Sequence, residues 1–361
     1  MANGYYSAKF EQDGSATYVP SPGTEAAVAP YFGAVRYFPV QQVKPSLGPN
    51  PMERDDELRN ADQALLEITD TFDPTFDYTS RAYPDIVGYH LAQVFGRDTS
   101  TNYAVAAGSA ATALDGTTAL ASGQYSHTWT APFGPAGSIP QTSQMIWAYK
   151  DQSTYYQMRG AATESLELST PDAGGVQIKA QGPGLYLSST ANPSLTPSYE
   201  TPSIRPFVHA NLAVTYSGAS APTTAGTASG FDVSIRNPVV AVRTLGASSQ
   251  YPDRMEKDEG PIMITGTIAK RNLTADDWTA MRDLNLFTIT AKWESSQYMT
   301  GSSGSKYGLS MTLQAQLVGG DIDDLDNKRR HGSTFNWKAV YDGTTSSAVI
   351  KLVNKTASYA A

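Results

Sequence analysis

A short acidic phrase occurs twice in this chain, and its surroundings occur twice with it. The first copy reads Met52-Glu53-Arg54-Asp55-Asp56-Glu57, and the second Met255-Glu256-Lys257-Asp258-Glu259-Gly260. Each copy follows a β-rich run and lies in a loop carrying proline. Each precedes a strand-like run and then a helix signal. Matched surroundings, more than the six residues themselves, point to a unit built twice. The order read from the sequence is strand, long acidic loop, strand, helix, then a run of antiparallel strands. Such a chain is mainly β, with one flanking helix per unit.

The local signals set the boundaries. Residues 1–30 read as an N-terminal arm, punctuated at Pro20-Ser21-Pro22-Gly23, with a short strand over Tyr5–Phe10. Tyr31–Val43 is aromatic and β-branched and reads as a strand. Prolines 45, 49 and 51 break the ladder over 44–60, and Ala64–Phe72 resumes it. Pro84 suits the first helical position, Asp85 the positive end of the dipole, and Gly96 the stop. Val87, Leu91, Val94 and Phe95 give that helix one apolar face.

Residues 98–123 are rich in Ala, Gly, Ser and Thr and read as an insertion. Tyr125–Thr130 reads as a strand. Ser143 to Arg159 reads as a hairpin turning at Asp151-Gln152-Ser153. Four prolines in 192–206 mark a linker between a first domain, 31–191, and a second, 207–356. The second opens on a strand, Phe207–Tyr216. In its helix Thr274 caps, Asp277 holds the capping-box position, and Trp278 and Met281 share a face. Tyr307–Val318 pairs with Thr334–Tyr341, and Asp342-Gly343 signals a hairpin before Ala348–Val353.

Composition narrows the function. The 361 residues carry a net charge of −8, against which a phosphate-gripping surface of clustered Lys and Arg is not expected. There are no cysteines, so disulfides and thiolate chemistry are absent. No apolar run reaches eighteen residues, and the N-terminus lacks a signal-peptide pattern. The four histidines (90, 127, 209, 331) share no metal-ligand spacing, and no catalytic, cofactor-binding or metal motif is present. Asp321-Ile322-Asp323-Asp324-Leu325-Asp326 starts like a calcium loop but has Leu325 at the fifth position, and reads as a solvated turn. Lys328-Arg329-Arg330-His331 directly follows it and reads as local neutralisation. What remains is strands with edges, which suits assembly by strand addition.

Several phrases resemble the major tail tube proteins of long-tailed, siphovirus-like bacteriophages. They are Phe231-Asp232-Val233-Ser234-Ile235-Arg236-Asn237; Ile264-Thr265-Gly266-Thr267-Ile268 before the helix at Ala275–Asp283; and Trp337-Lys338-Ala339-Val340-Tyr341-Asp342-Gly343 before Val349-Ile350-Lys351-Leu352-Val353-Asn354. The resemblance spans roughly 30–355. It implies two tandem tail-tube-type β-sandwich or barrel units, each with a stacking loop. It also implies a structural virion protein whose rings stack into a hollow tube, assembled in the host cytoplasm.

DNA and tape-measure protein pass transiently through such a lumen without specific binding, and other tail proteins close the tube ends. Stacking contacts are expected from Glu53, Arg54, Asp55, Asp56 and Glu57, and from Glu256, Lys257, Asp258 and Glu259. Two units per chain imply trimeric rings with pseudo-sixfold symmetry, and an acidic lumen would let DNA slide by repulsion. The alternatives are a terminator or distal tail protein on the same fold, or a carbohydrate- or receptor-binding β-sandwich. No catalysis, cofactor or membrane insertion is expected.

Overall fold

The strands fall into two copies of one arrangement, joined edge to edge. The computed structural model describes residues 6–9, 11–13, 37–52, 68–95, 103–131, 142–148, 154–171, 174–191, 204–218, 221–222, 228–243, 250–258, 260–270, 275–300, 304–322, 333–341, 343, 347–357 and 359. The first half contains β1 (Tyr6–Lys9), β2 (Glu11–Asp13), β3 (Tyr37–Ser46), β4 (Pro49–Met52), β5 (Ile68–Phe72), β6 (Thr75–Arg81) and helix α1 (Pro84–Phe95). It continues through β7 (Tyr103–Ala107), β8 (Tyr125–Thr130), β9 (Thr142–Ala148), β10 (Thr154–Ala161), β11 (Ser165–Thr170), β12 (Gln177–Pro183) and β13 (Tyr186–Ala191). The second half contains β14 (Leu212–Ser217), β15 (Ala228–Arg236), β16 (Val239–Val242), β17 (Arg254–Lys257), β18 (Met263–Lys270) and helix α2 (Ala275–Arg282). It ends with β19 (Phe287–Tyr298), the long β20 (Lys306–Ile322), β21 (Ser333–Ala339) and β22 (Ala348–Asn354).

Hydrogen bonding makes the repetition explicit. The run β3-β6-β12-β11 in the first half matches β15-β18-β21-β20 in the second. The sheet β13-β10-β9-β2 likewise matches β22-β20-β19-β14. Strand β20 serves both layers of its half: residues up to Ala315 pair β19, and residues from Ala315 on pair β21. In the first half the same job is split between β10 and β11. The two inner runs join where β11 meets β15, with Leu166 opposite Ile235 and Leu168 opposite Val233. One eight-strand run, β3-β6-β12-β11-β15-β18-β21-β20, therefore crosses both halves.

Alternation of apolar and polar residues sends one face of this run inward. Phe76, Tyr78, Leu166, Ile178, Phe231, Val233, Ile268 and Trp337 are buried there. Phe231 stacks on Trp337 at 5.6 Å, and a side chain at Gly266 would put its Cβ 2.5 Å from that indole and closer still to the Asp232 carbonyl. The joint between halves belongs to the same core. Trp293 of β19 donates its indole N–H to Thr170 of β11 (3.1 Å). Phe207, fully buried, donates its N–H to the Ala82 carbonyl and accepts from the Val176 N–H.

Helix α1 starts at Pro84 and stops before Gly96, as its sequence predicts, and Val87, Leu91, Val94 and Phe95 are buried. Its polar side is buried too. The Tyr78 hydroxyl lies 2.6 Å from Nδ1 of His90, and Thr163 donates to Gln93 (2.7 Å). The reason is that α1 packs on β20 and β22 of the other half as well as on β11 of its own.

Other expectations change. The stretch opening the second half is a 3₁₀ turn at His209–Asn211, and its strand begins only at Leu212, because Phe207 is held in the joint. In α2 the buried residues are Asp277 and Ala280, while Trp278 is 45% exposed. The Asp277 carboxylate pairs with Lys270 of β18 at 2.5 Å, both side chains almost fully buried, and the cap residue Thr274 lies outside the described residues. The Ser143–Arg159 hairpin is present as β9–β10. The chain after Asp342-Gly343 makes no hairpin with β21: β21 and β22 lie along the same edge of β20, which bonds Val340 and Ser347 through Gln314.

The stretch read as an insertion, 98–123, holds β7 and leads into β8. The two strands form a hairpin, and Tyr125–Thr130 belongs to it. Strand β8 then pairs β22, so the first half lends a hairpin to the outer sheet of the second. Residues 1–5, 10 and 14–30 of the arm, 31–36 at the start of the strand read over Tyr31–Val43, 192–203 of the linker and 323–332, with the basic cluster, lie outside the described residues.

Candidate assembly surfaces

Three surfaces of this frame can meet other molecules: a pair of ribbons at one end, two strand edges, and the polar face of the eight-strand run. The ribbons come first because the repeated acidic phrase falls on them. β4 pairs β5, and β16 pairs β17, each ribbon leaving the inner run after β3 or β15 and returning as β6 or β18. What reads as a loop over 244–261 is thus partly ladder: Glu256 and Lys257 lie in β17, opposite Val240 and Val239. Short polar phrases carry no strand signal of their own, and the pairing with Val239–Val242 supplies it.

The two copies of the phrase are not equivalent in the repeat. Ser46 and Arg236 end matching strands 190 residues apart, whereas Met52 and Met255 are 203 apart. Met52 ends an outgoing strand, and Met255 lies in a returning one. Glu53, Arg54, Asp55, Asp56, Glu57 and Glu259 lie outside the described residues. Glu256 pairs with Arg254 at 2.5 Å on an exposed surface, and the Asp258 N–H donates to Pro238.

The ribbons touch one another. The Phe72 N–H donates to the Gln250 carbonyl (3.0 Å). Tyr251 stacks on Phe72 at 5.0 Å and meets Tyr186 edge-on at 4.6 Å. Arg243 donates to the Phe72 carbonyl (2.6 Å) and pairs with Asp73 (2.5 Å). Nothing in the sequence announces these contacts, since Arg243 and Phe72 are 171 residues apart. They fix both ribbons at the same end of the molecule.

The eight-strand run ends in two edges. On one side, β1 covers β3 only as far as Val40, and beyond it the outer edge of β3 has no strand partner among the described residues. On the other, β19 leaves β20 at Ala315, and residues 316–322 pair only with β21 among the described residues. Exposed edges of this kind template further strand pairing.

The polar face of the run is hollowed over β11, β15, β18 and β21. Glu167, Ser169, Asp232, Thr265, Asn336 and Lys338 line a shallow concavity of about 530 Å³ on it. The face is not acidic. Lys44 lies opposite Asp77, and Lys179 opposite Glu167. Asp232 accepts from the Thr267 hydroxyl (3.0 Å) and the Thr170 N–H. Arg81, Arg236 and Lys338 add positive charge among hydroxyls and amides. The excess of acid in the whole chain is therefore not carried by this face.

The described histidines sit elsewhere. His127, on β8 of the inserted hairpin, contacts the Tyr103 hydroxyl (2.8 Å) and the Thr356 carbonyl (2.8 Å). His209 lies in the turn before β14. Among the described residues no group of three or more His, Asp or Glu could hold a metal ion, and no helix is long and apolar enough to cross a membrane.

No curated protein matches the chain. A family described as phage tail tube protein matches residues 12–339, a span that includes the joint, the ribbons and both halves up to the end of β21. The chain belongs to the phage tail tube protein family and is a structural subunit of the virion's tail tube.

Proposed function

We propose that three copies of this chain close one ring of the tube, and that rings stack through the paired ribbons. Residues 31–191 and 207–356 then act as tandem units, joined by 192–206, with the arm 1–30 and the hairpin insertion as additions. One observation carries the reading: β11 and β15 already make, inside one chain, the edge-to-edge contact that single-unit subunits would make between chains. Three eight-strand runs give a closed barrel of about 24 strands, with no edge left over. The closing pair is the far half of β20 with the open edge of β3 on the next copy, a heterologous contact that forms a ring.

The polar face would line the lumen. Cation and carboxylate facing each other in register leave little net field to hold a phosphate backbone. DNA and tape-measure protein would then pass through charge balance rather than through repulsion by an acidic wall. Other tail proteins would cap the open ends, and assembly would take place in the host cytoplasm. The test is the mass of isolated rings together with their projected symmetry. Three 38.6 kDa chains with pseudo-sixfold density are expected. Six chains per ring would overturn the stoichiometry. A purified protein that stays monomeric at every concentration would overturn the ring itself.

A further inference from the structure

The two helices occupy the same place in the repeat but differ in cover. Every residue of α1 is buried except Tyr89, which is half-buried, because the other half lies on it. The Asn354 amide donates to the Pro84 carbonyl (3.0 Å), Tyr359 meets Tyr89 edge-on at 4.9 Å, and a Cβ on Gly88 would fall inside the Tyr359 ring. Helix α2 packs on β20 of its own half. Its other side leaves Trp278 45% and the following Leu284 52% exposed. Gln316 of β20 donates to the Leu284 carbonyl (2.7 Å), so helix end and strand edge form one surface. Leu284 also holds a positive φ of 49°, which fixes its side chain in this exposed position at some backbone cost.

We infer that this apolar surface is the seat of a second copy of the chain, occupied by the outer sheet of that copy's first half. The joint inside the chain is the template. There, the edge pair β11–β15 is accompanied by α1 seated on β22 and β20. The repeat maps β22 and β20 onto β13 and β10. An edge pair between β20 and the next copy's β3 accordingly brings α2 onto that copy's β13 and β10. Trp278 is the anchor, as buried tryptophans are in interfaces generally. The match is unequal in one respect: the first half adds the β7–β8 hairpin to its joint, and α2 runs into β19 with no such addition. The contact between copies therefore relies more heavily on Trp278 and Leu284 than the internal joint does on its helix.

This inference rests on the ring reading, and the experiment separates the two. The double variant Trp278→Asp, Leu284→Asp changes only exposed side chains, so its thermal melt as a monomer should match wild type. Its assembly concentration should rise about tenfold or more, as loss of a central anchor does. Val105→Asp, on the exposed edge of the inserted hairpin, should assemble as wild type. The chain has no cysteine, so introduced thiols report cleanly. Copies carrying Thr279→Cys mixed with copies carrying Ser188→Cys should be joined by a short bis-maleimide upon assembly. Copies carrying Thr279→Cys alone should not join. Normal assembly by the double variant, or efficient joining of Thr279→Cys copies to one another, would overturn the seat on α2 while leaving the ring intact. Failure of wild type to assemble would remove the ring reading itself.

Discussion

Lys270 and Asp277 tie the last residue of β18 to the first turn of α2, with both side chains about 2% exposed or less. The ammonium also lies 5.4 Å from the Tyr216 ring centre. Removing one partner strands a charge out of water, so Asp277→Ala should destabilise by about 3–5 kcal/mol. Lys270→Met with Asp277→Leu should recover most of that loss, because apolar pairs of similar size often replace buried ion pairs without penalty. Urea denaturation of the two variants checks both. A second residue-scale prediction concerns pH. Burial pulls His90 down to about 3 and His127 down to about 4, from an unfolded value near 6.5. Both are neutral in the fold and bind a proton on unfolding at any pH between those limits. Their contribution is complete above about 6.5 and is lost as pH falls, at about 1.4 kcal/mol per pH unit for each histidine. Urea midpoints should therefore drop between pH 6.5 and 4.5, and His90→Gln with His127→Gln should flatten that drop. The sequence shows these histidines but not their roles, because Tyr78 and Thr356 reach them through the fold.

At the scale of elements, α1 was readable because its start, stop and apolar face are all local signals: Pro84, Gly96, and Val87 with Leu91 and Val94. The individual strands β11 and β15 were readable for the same reason, through alternation. That they pair was not, since about 65 residues separate Leu168 from Val233 and alternation does not name a partner. The ribbons were the least readable elements. Arg254–Lys257 has neither apolar alternation nor β-branching, and it is a strand only because Val239–Val242 lies beside it. The repeated acidic phrase pointed to a strand order that occurs twice yet marked it out of step, since six residues do not set a register. The β11–β15 pair carries a prediction of its own. β11 is bonded on both sides, to β12 and to β15, so every N–H in it is used. Glu167 is exposed, and Glu167→Pro removes one ladder bond without touching the core. Wild type should unfold in one transition, because one sheet runs through both halves. The variant should lose about 3 kcal/mol and show two transitions by calorimetry. A single sharp transition in the variant would show that Phe207 and Trp293 alone keep the halves coupled.

For the whole molecule, ring closure and ring stacking as proposed act in different directions and use different residues. Closure, in that reading, uses the edges of the eight-strand run, at its sides. Stacking, in the reading proposed above, uses the ribbons, at one end. The two ribbons are bound into one body by Tyr251 between Phe72 and Tyr186, and by Arg243 on Asp73, so they can act as a single projection. Glu256 and Asp258 sit on that projection's surface rather than in its framework. Glu256 is engaged only with Arg254 among the ion pairs of the described residues, with both side chains more than 40% exposed. An exposed pair of this kind is worth about 0–1 kcal/mol to the fold. Changing Glu256, Asp258 and Glu259 to Lys should therefore leave the monomer's melt within a few degrees of wild type. Rings should still close, since no residue of the β3 or β20 edge is altered. Tubes should shorten to single rings or short stacks, and sedimentation should show a peak at the mass of one ring. The same reversal at Glu53, Asp55 and Asp56 should act in the same sense. If charge is the cause, raised salt should shorten wild-type tubes too, because contacts at an exposed surface are screened within about 8–10 Å at ordinary ionic strength. Tubes of wild-type length from both lysine variants would reduce the acidic phrase to a solvated surface. The ribbons' stacking role would then have to come from their apolar members, of which exposed Val240 on β16 is one.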